Sequence, residues 1–349
     1  MTDVVLRDGT TNVLDGAFQN HTTLKSVTIP ASAVGGFTGV GSWGGAFDGC
    51  PNLTDLYFHG GNKVVYELFA NDTPHAVNLH FDSIEALLSS SLECCGETTH
   101  KRYVGGEPVT ELVIPDGMTE MPFRGDPDVE SVTVLPQITA ISLPDSITSL
   151  QRYSFSQFYN LERIELEDIS TLFAGGIIPA MRSGVEIYVD GAPVTDLVIP
   201  EGVTEIPDYA FRTWSTLVSV TIPSSVTRIG ECAFEGCSSL QEISIPGTVK
   251  TVGMLAFNYC SSLERIILEE GVETVDVGAF YGCPNLVLIK LPSTLQVFYS
   301  AHEIDAPYDV VVEYNGTIAE WKALCSDWES YYNAGITVRC NDGSLSENA

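Results

Sequence analysis

Apolar residues in the second half of this chain return every 23 positions. Ala210-Phe211, Ala233-Phe234, Ala256-Phe257 and Ala279-Phe280 keep that interval, as do Leu217, Leu240, Leu263 and Leu286. Ile222, Ile245, Leu268 and Leu291 follow it, and so do Val203, Val226, Val249, Val272 and Leu295. A fixed period of this length marks a solenoid, in which each repeat buries its apolar face only against its neighbours. Residues 233 to 252 show what one unit predicts. Ala233-Phe234 opens a short turn or helix, which Gly236 breaks. Leu240, Ile243 and Ile245 end in a period of two, the pattern of a short strand, and Pro246 closes it. Val249 and Val252 predict a second extended piece. All of these apolar residues, with Cys237, are expected to face one core.

Magnitudes explain why such units come in series. Burying the apolar set of one unit contributes on the order of 10–20 kcal/mol, at about 1.5–3 kcal/mol per side chain. Ordering its backbone costs roughly 1–2 kcal/mol per residue, so more than about 20 kcal/mol. One unit alone is unstable, and stacking supplies both the missing burial and partners for its edges.

Earlier copies are less regular. Ala17-Phe18 with Leu24 and Ile29-Pro30 is one, and Ala46-Phe47 with Gly49, Cys50, Leu53 and Phe58 is a second. A Gly-rich insertion (Gly35, Gly36, Gly39, Gly41) separates them. Leu143-Pro144 with Ile147, Leu150, Phe155, Leu161, Ile164 and Leu166 is a third. A shortened copy runs from Ile114-Pro115 through Met118 and Met121 to Phe123. A larger duplication overlays these: Tyr103 to Pro115 matches Tyr188 to Pro200. The predicted organisation is repeats over 1–58, an irregular insertion with a helix near Asp82 to Leu92 over 59–100, and repeats over 101–167. A short insertion over 168–186, regular repeats over 187–295 and a C-terminal cap over 296–349 follow. The cap is read from a strand at Val310–Tyr314, a helix at Thr317–Tyr331 carrying Trp321, Leu324 and Trp328, and a strand at Ile336–Cys340.

Charge narrows the function. The chain of 349 residues holds 46 acidic and 16 basic residues, for a net charge of -30. That field repels phosphate backbones and anionic lipid, which argues against nucleic-acid and membrane-surface binding. No run approaches the 18 consecutive apolar residues of a membrane-spanning helix. The N-terminus, Met1 to Asp8, lacks a basic region followed by an apolar run. Either the protein stays inside the cell or this is a mature fragment with a start methionine added.

Cys50, Cys237, Cys260 and Cys283 each fall three residues after a repeat Phe. A residue recurring at one repeat position reads as a small buried hydrophobe rather than a metal or redox ladder. A Cys325–Cys340 disulfide is left open by spacing alone.

These residues resemble the BspA-like (Treponema pallidum type) leucine-rich repeats of bacterial surface proteins. The resemblance rests on the 23-residue spacing, on A-F-x-G-C-x-x-L as in Ala233 to Leu240, and on I-P followed by V-x-x-I. Tyr314-Asn315-Gly316-Thr317 with Trp321, and Val338, Cys340 and Asp342-Gly343, are similar to the ends of gut-bacterial members. The resemblance implies a curved α/β solenoid of leucine-rich-repeat type. It also implies adhesion, at the cell surface or secreted, to a host or microbial surface protein or glycan.

Candidate chemistry is sparse. His75 and His80 lie near Asp72, Asp82 and Cys94-Cys95, but the spacing matches no standard metal-ligand pattern. Gly125-Asp126-Pro127-Asp128 with Glu130 lacks the EF-hand spacing for calcium. No nucleophile elbow, zinc-protease, P-loop or dinucleotide motif occurs. We therefore expect no enzyme activity and no cofactor, with a metal-dependent enzyme using 59–100 as the weakest reading.

The binding face is more promising. Strand residues between core positions point outward: Ser219 and Thr221, Glu242 and Ser244, Arg265 and Ile267, Leu288 and Lys290. Stacked, they predict a concave ribbon of mixed polarity, apolar near Ile267 and Leu288, and this ribbon is the candidate ligand-binding site. An ordinary solvated strand face, in a structural spacer of a larger surface assembly, is the alternative. A second row, Phe158, Tyr159, Trp214, Tyr259 and Tyr281, is read as packing on adjacent rungs in preference to an interface. We expect a monomer.

Overall fold

The structure, a computed structural model, describes residues 1–14, 16–33, 45–60, 76–89, 101–121, 137–151, 154–155, 158–179, 184–299, 310–325 and 336–345. Several residues singled out above lie outside the described residues: Gly35, Gly36, Gly39, Gly41, Asp72, His75, Cys94, Cys95, Phe123, Trp328 and the 125–130 acidic loop. The chain forms two compact units, Met1–Pro144 with Gln157–Leu161, and Asp145–Ser156 with Glu162–Ala349.

The first unit stacks β1 (Asp3–Val5), β2 (Ser26–Ile29), β3 (Asp55–Phe58), β4 (Asn78–Phe81) and β5 (Arg102–Val104) in parallel. A six-residue helix, α1 (Ile84–Ser89), follows β4. β4 lies inside the stretch read as an insertion. It carries the period-two pattern, with Leu79 and Phe81 buried, but lacks the Ala-Phe-x-Gly-Cys turn that makes other rungs recognisable. β5 turns back into β6 (Glu107–Pro108), and β7 (Glu111–Val113) pairs in parallel with β8 (Ala140–Leu143).

The second unit opens with β9 (Arg163–Leu166), a 3-10 turn at Ile169–Phe173 and β10 (Glu186–Val189), which pairs with β9 in parallel. β10 turns back into β11 (Ala192–Pro193). The long duplication is explained here, because both copies build the same two-residue hairpin. Gly105-Gly106 and Asp190-Gly191 all have positive φ, as the tight turn matched to strand twist requires.

Between residues 196 and 298 each rung contributes one strand to each of two parallel sheets. The short sheet holds β13 (Glu205–Ile206), β15 (Arg228–Ile229), β17 (Thr251–Val252), β19 (Thr274–Val275) and β21 (Val297–Phe298). The long sheet takes β12 (Asp196–Val198), β14 (Ser219–Thr221), β16 (Glu242–Ile245), β18 (Arg265–Leu268) and β20 (Leu288–Leu291). It continues through β22 (Val311–Tyr314), β23 (Thr337–Cys340) and an antiparallel β24 (Gly343–Leu345). A seven-residue helix, α2 (Ile318–Leu324), lies between β22 and β23, with a Thr317–Glu320 capping box. The register steps by one repeat, as in Glu242 opposite Arg265 and Thr251 opposite Thr274. The architecture is a β-solenoid, with little helix.

The third side of each rung is a series of turns, not a helix. The N–H groups of Phe211, Phe234 and Phe257 donate to the carbonyls of Ala233, Ala256 and Ala279 on the next rung, each at 2.8 Å. Two residues per rung also sit at positive φ, which ends any helix. They are Tyr209, Cys232, Leu255 and Gly278 at one position, and Thr213, Gly236, Tyr259 and Gly282 at the other. The Gly of the sequence motif is thus the residue best suited to the second position, though Thr213 and Tyr259 also occupy it. The Phe rings form a column, tilted at Phe211–Phe234 with centroids 5.2 Å apart and stacked at Phe234–Phe257 (5.1 Å) and Phe257–Phe280 (6.1 Å). Phe18 and Phe47 repeat the arrangement in the first unit at 5.3 Å, so the longer spacing there leaves the stack intact.

The repeat cysteines are buried, but they are more than small hydrophobes. The thiols of Cys237, Cys260 and Cys283 donate to the carbonyls of Phe211, Phe234 and Phe257 at 3.2, 3.2 and 3.3 Å. Cys50 does the same to Phe18 at 2.9 Å. Each of these Phe carbonyls, which also accepts a backbone N–H as from Cys237 to Phe234 at 3.2 Å, thereby gains a second donor that a hydrophobic residue would not supply. Burial pushes the Cys237 and Cys283 thiols up to about 12 and the Cys260 thiol well above its ordinary value. Such thiols are poor nucleophiles and poor metal ligands. Cys325 and Cys340 are both free thiols.

Candidate functional site

The long sheet of the second unit presents the predicted residues. Pairing places Asp196, Ser219, Glu242, Arg265, Leu288, Val311 and Thr337 in one row across successive strands. A second row holds Ser244, Ile267, Lys290, Glu313 and Arg339. Ser219, Thr221, Glu242, Ser244 and Arg265 are exposed, while Ile267, Leu288 and Lys290 are half-buried. The residues between them, such as Val220, Ile243, Ile266 and Ile289, are buried. Period two therefore sorts the two faces as the pleat requires.

Charges on this face pair across strands. Arg265 Nε lies 3.1 Å from Glu242 Oε2. Glu313 stands between two cations, with Lys290 Nζ 3.2 Å from Oε2 and Arg339 Nη1 3.6 Å from Oε1. These pairs are partly exposed, where each contributes about 1 kcal/mol or less. A partner can rearrange them at small cost.

At its C-terminal end the face deepens into a pocket of about 390 Å³. The row Ile267, Lys290, Glu313 and Arg339 forms one side, and the turns after the strands supply Glu270, Asn315 and Asn341. The sequence cause is local. The rungs at Ile245 and Leu291 continue with Pro, but Leu268 is followed by Glu269-Glu270. Glu270 accepts hydrogen bonds from the Ser293 N–H and hydroxyl, both at 3.0 Å, and from the Asn315 side-chain amide. Partial burial pushes the Glu270 carboxyl up, but the Ser293 and Asn315 hydrogen bonds outweigh it, so the group sits below the usual carboxylate range. Asn341 donates its amide to the Asn315 carbonyl at 3.1 Å. The site is a polar corner in which the Glu270 carboxylate and the Asn315 and Asn341 amides are held in place.

The other predicted features fall differently. His80 Nε2 lies 2.8 Å from Asp55 Oδ1, and its ring is stacked between Tyr57 at 4.4 Å and Tyr103 at 4.7 Å. His59 lies 2.9 Å from Asp82. Among the described residues no group of three or more His, Cys, Asp or Glu side chains is placed to hold a metal ion. Of the loop aromatics, Phe158 and Trp214 are buried, as packing predicts, but Tyr159, Tyr259 and Tyr281 are exposed. Tyr259 does both: its ring lies over Gly282 of the next rung and meets Tyr281 edge-on at 5.8 Å, yet it stays open to solvent.

A model of the BspA-type leucine-rich repeat region matches residues 1–100, 134–174 and 186–302, in six copies. The chain belongs to this family. A leucine-rich cell surface protein of Faecalibacterium prausnitzii is similar in structure at 20% identity and TM-score 0.42, covering 94% of this chain and 91% of that one. A leucine-rich repeat protein of Eubacterium ventriosum is similar at 18% identity and TM-score 0.38, over 90% of this chain and 74% of that one. The leucine-rich repeat protein of T. pallidum is similar at 19% identity and TM-score 0.30, over 66% of this chain and 78% of that one. No curated protein matches. No described helix is long and apolar enough to cross a membrane.

Sequence reasoning missed Glu270, Glu313, Asn315, Arg339 and Asn341. The signal for Glu313 and Arg339 was present, since the period-two pattern of β22 and β23 continues the ribbon past Lys290. Glu313 keeps the 23-residue interval from Lys290, and only Arg339, 26 residues further on, departs from it. Glu270 was legible only as a broken Ile-Pro motif.

Proposed function

We propose that this protein is a non-enzymatic binding module, displayed at a bacterial cell surface or secreted, that engages a surface protein or glycan through the outward face of the long sheet. The observation that carries this reading is the second row of that face. Ile267, Lys290, Glu313 and Arg339 converge on a pocket within the 300–1,000 Å³ range of ligand sites. The family resemblance supports an adhesive role. The test is a binding screen of the purified chain against matrix proteins, mucins and bacterial glycans at physiological salt. An Arg265→Glu, Lys290→Glu double variant and a heat-unfolded sample serve as controls. Saturable binding by the folded wild type, weakened at least tenfold in the variant, is the expected result. An empty panel would instead support the structural spacer, and binding unchanged in the variant would move the site off this face.

A further inference from the structure

We propose that the pocket beside Lys290 and Arg339 takes an acidic sugar residue, a ring carrying one carboxylate among hydroxyls. This deepens the reading of the face as a binding surface and rests on it.

Three observations point to that chemistry. First, the pocket lies on the face of the sheet and not at an edge. β22 is paired on one side with β20 and on the other with β23, so its backbone is committed. An extended peptide that adds as a strand has no free edge there, and the ligand is read by side chains. Second, two cations share one carboxylate. Lys290 and Arg339 both lean on Glu313, and the pocket's other carboxylate, Glu270, is held instead by Ser293 and Asn315, so among the described residues two cations share one paired carboxylate. A ligand carboxylate completes that set, and the guanidinium of Arg339 offers it a paired donor geometry. Third, the remaining wall is polar: Asn315 and Asn341 present side-chain amides, while Glu270 and Glu313 are already engaged by Ser293, Asn315 and the two cations. Amides pair best with groups that both donate and accept, as hydroxyls do, whereas a carboxylate only accepts. A ring bearing hydroxyls beside its carboxylate supplies both halves at once. A volume of about 390 Å³ holds one or two such rings, with Ile267 as the apolar wall.

The chain's net charge of -30 does not prevent this. At physiological salt, charges beyond about 8 Å are largely screened, while Lys290 and Arg339 act at contact distance.

The test is a calorimetric and NMR titration of the full chain with a tri-uronate, the neutral trisaccharide of the same linkage, and an acidic tripeptide. The expected result is saturable tri-uronate binding, at least about tenfold weaker for the neutral sugar and in each of Lys290→Gln and Arg339→Gln. It is unchanged in Arg228→Gln on the short sheet. Thermal melts establish that the variants are folded; both side chains are about half exposed, at 45% and 58%. Equal affinity for the neutral sugar, or tri-uronate binding that survives both substitutions, overturns the proposal. Tighter binding of the tripeptide at the same residues overturns it in favour of a peptide ligand. If no probe binds while the broad screen finds a ligand sensitive to Lys290, the acidic-sugar inference falls and the binding face stands. If the broad screen is empty as well, both fall.

Discussion

Phe257 has no exposed surface and is stacked between Phe234 and Phe280. Phe257→Ala is expected to cost about 3–5 kcal/mol through the cavity it leaves. A thermal melt unchanged by it would contradict the ring stack. The cysteines beside this stack make a pH prediction. Cys237 and Cys283 hold their protons to about pH 12, against an ordinary 9.0. Above that ordinary value the folded state binds more protons than the unfolded one, so stability falls as pH rises between about 9 and 12. Each thiol contributes up to about 1.4 kcal/mol per pH unit to that loss. The urea midpoint is expected to drop between pH 8 and pH 10.5, and to drop less in a Cys237→Ala, Cys283→Ala variant. Equal drops in both proteins would show that the thiols are not the cause.

At the element scale the repeat is held in register by backbone closeness as much as by burial. Gly253 lies against the preceding rung, where a Cβ would stand 2.6 Å from the Gly230 carbonyl carbon. Gly253→Ala is expected to destabilise by about 1–3 kcal/mol, since the neighbour is backbone and cannot swing away. Chemical denaturation checks this, and a neutral effect would mean that the rungs slide freely. Element types were well legible in the sequence. The strand at Ile243–Ile245 appears within β16, and the extended piece at Val249–Val252 ends in β17, a strand only over Thr251–Val252. The Ala-Phe turns were harder to read. Whether such a segment is helix or turn depends on the partner of the Phe N–H, which lies on the next rung. The Cys–Phe carbonyl bonds were illegible for the same reason, spanning 26 residues.

For the whole molecule, the charges on the proposed binding face contribute little to stability. Arg265 and Lys290 make exposed pairs worth about 1 kcal/mol or less each. The Arg265→Glu, Lys290→Glu variant that tests binding is therefore expected to melt within a few degrees of wild type. A much larger shift would mean that the cross-strand pairs hold the stack together. This separation lets a binding loss be read as a loss of contact rather than of fold.

The sequence by itself determined the solenoid, its repeat length, the core set and the outward ribbon, because each rests on a period. A recurring apolar residue must face a recurring environment. Only the tertiary structure decided where the ribbon becomes a pocket. Lys290, Glu313 and Arg339 are separated by different intervals in the chain, and a helix intervenes before β23. They become neighbours because parallel pairing aligns them, whatever the length of chain between. Glu270 joins them because Ser293 and Asn315 hold its carboxylate at the end of the strand. Periodicity can be read along the chain, but convergence of side chains from rungs of unequal length appears only when those rungs are stacked.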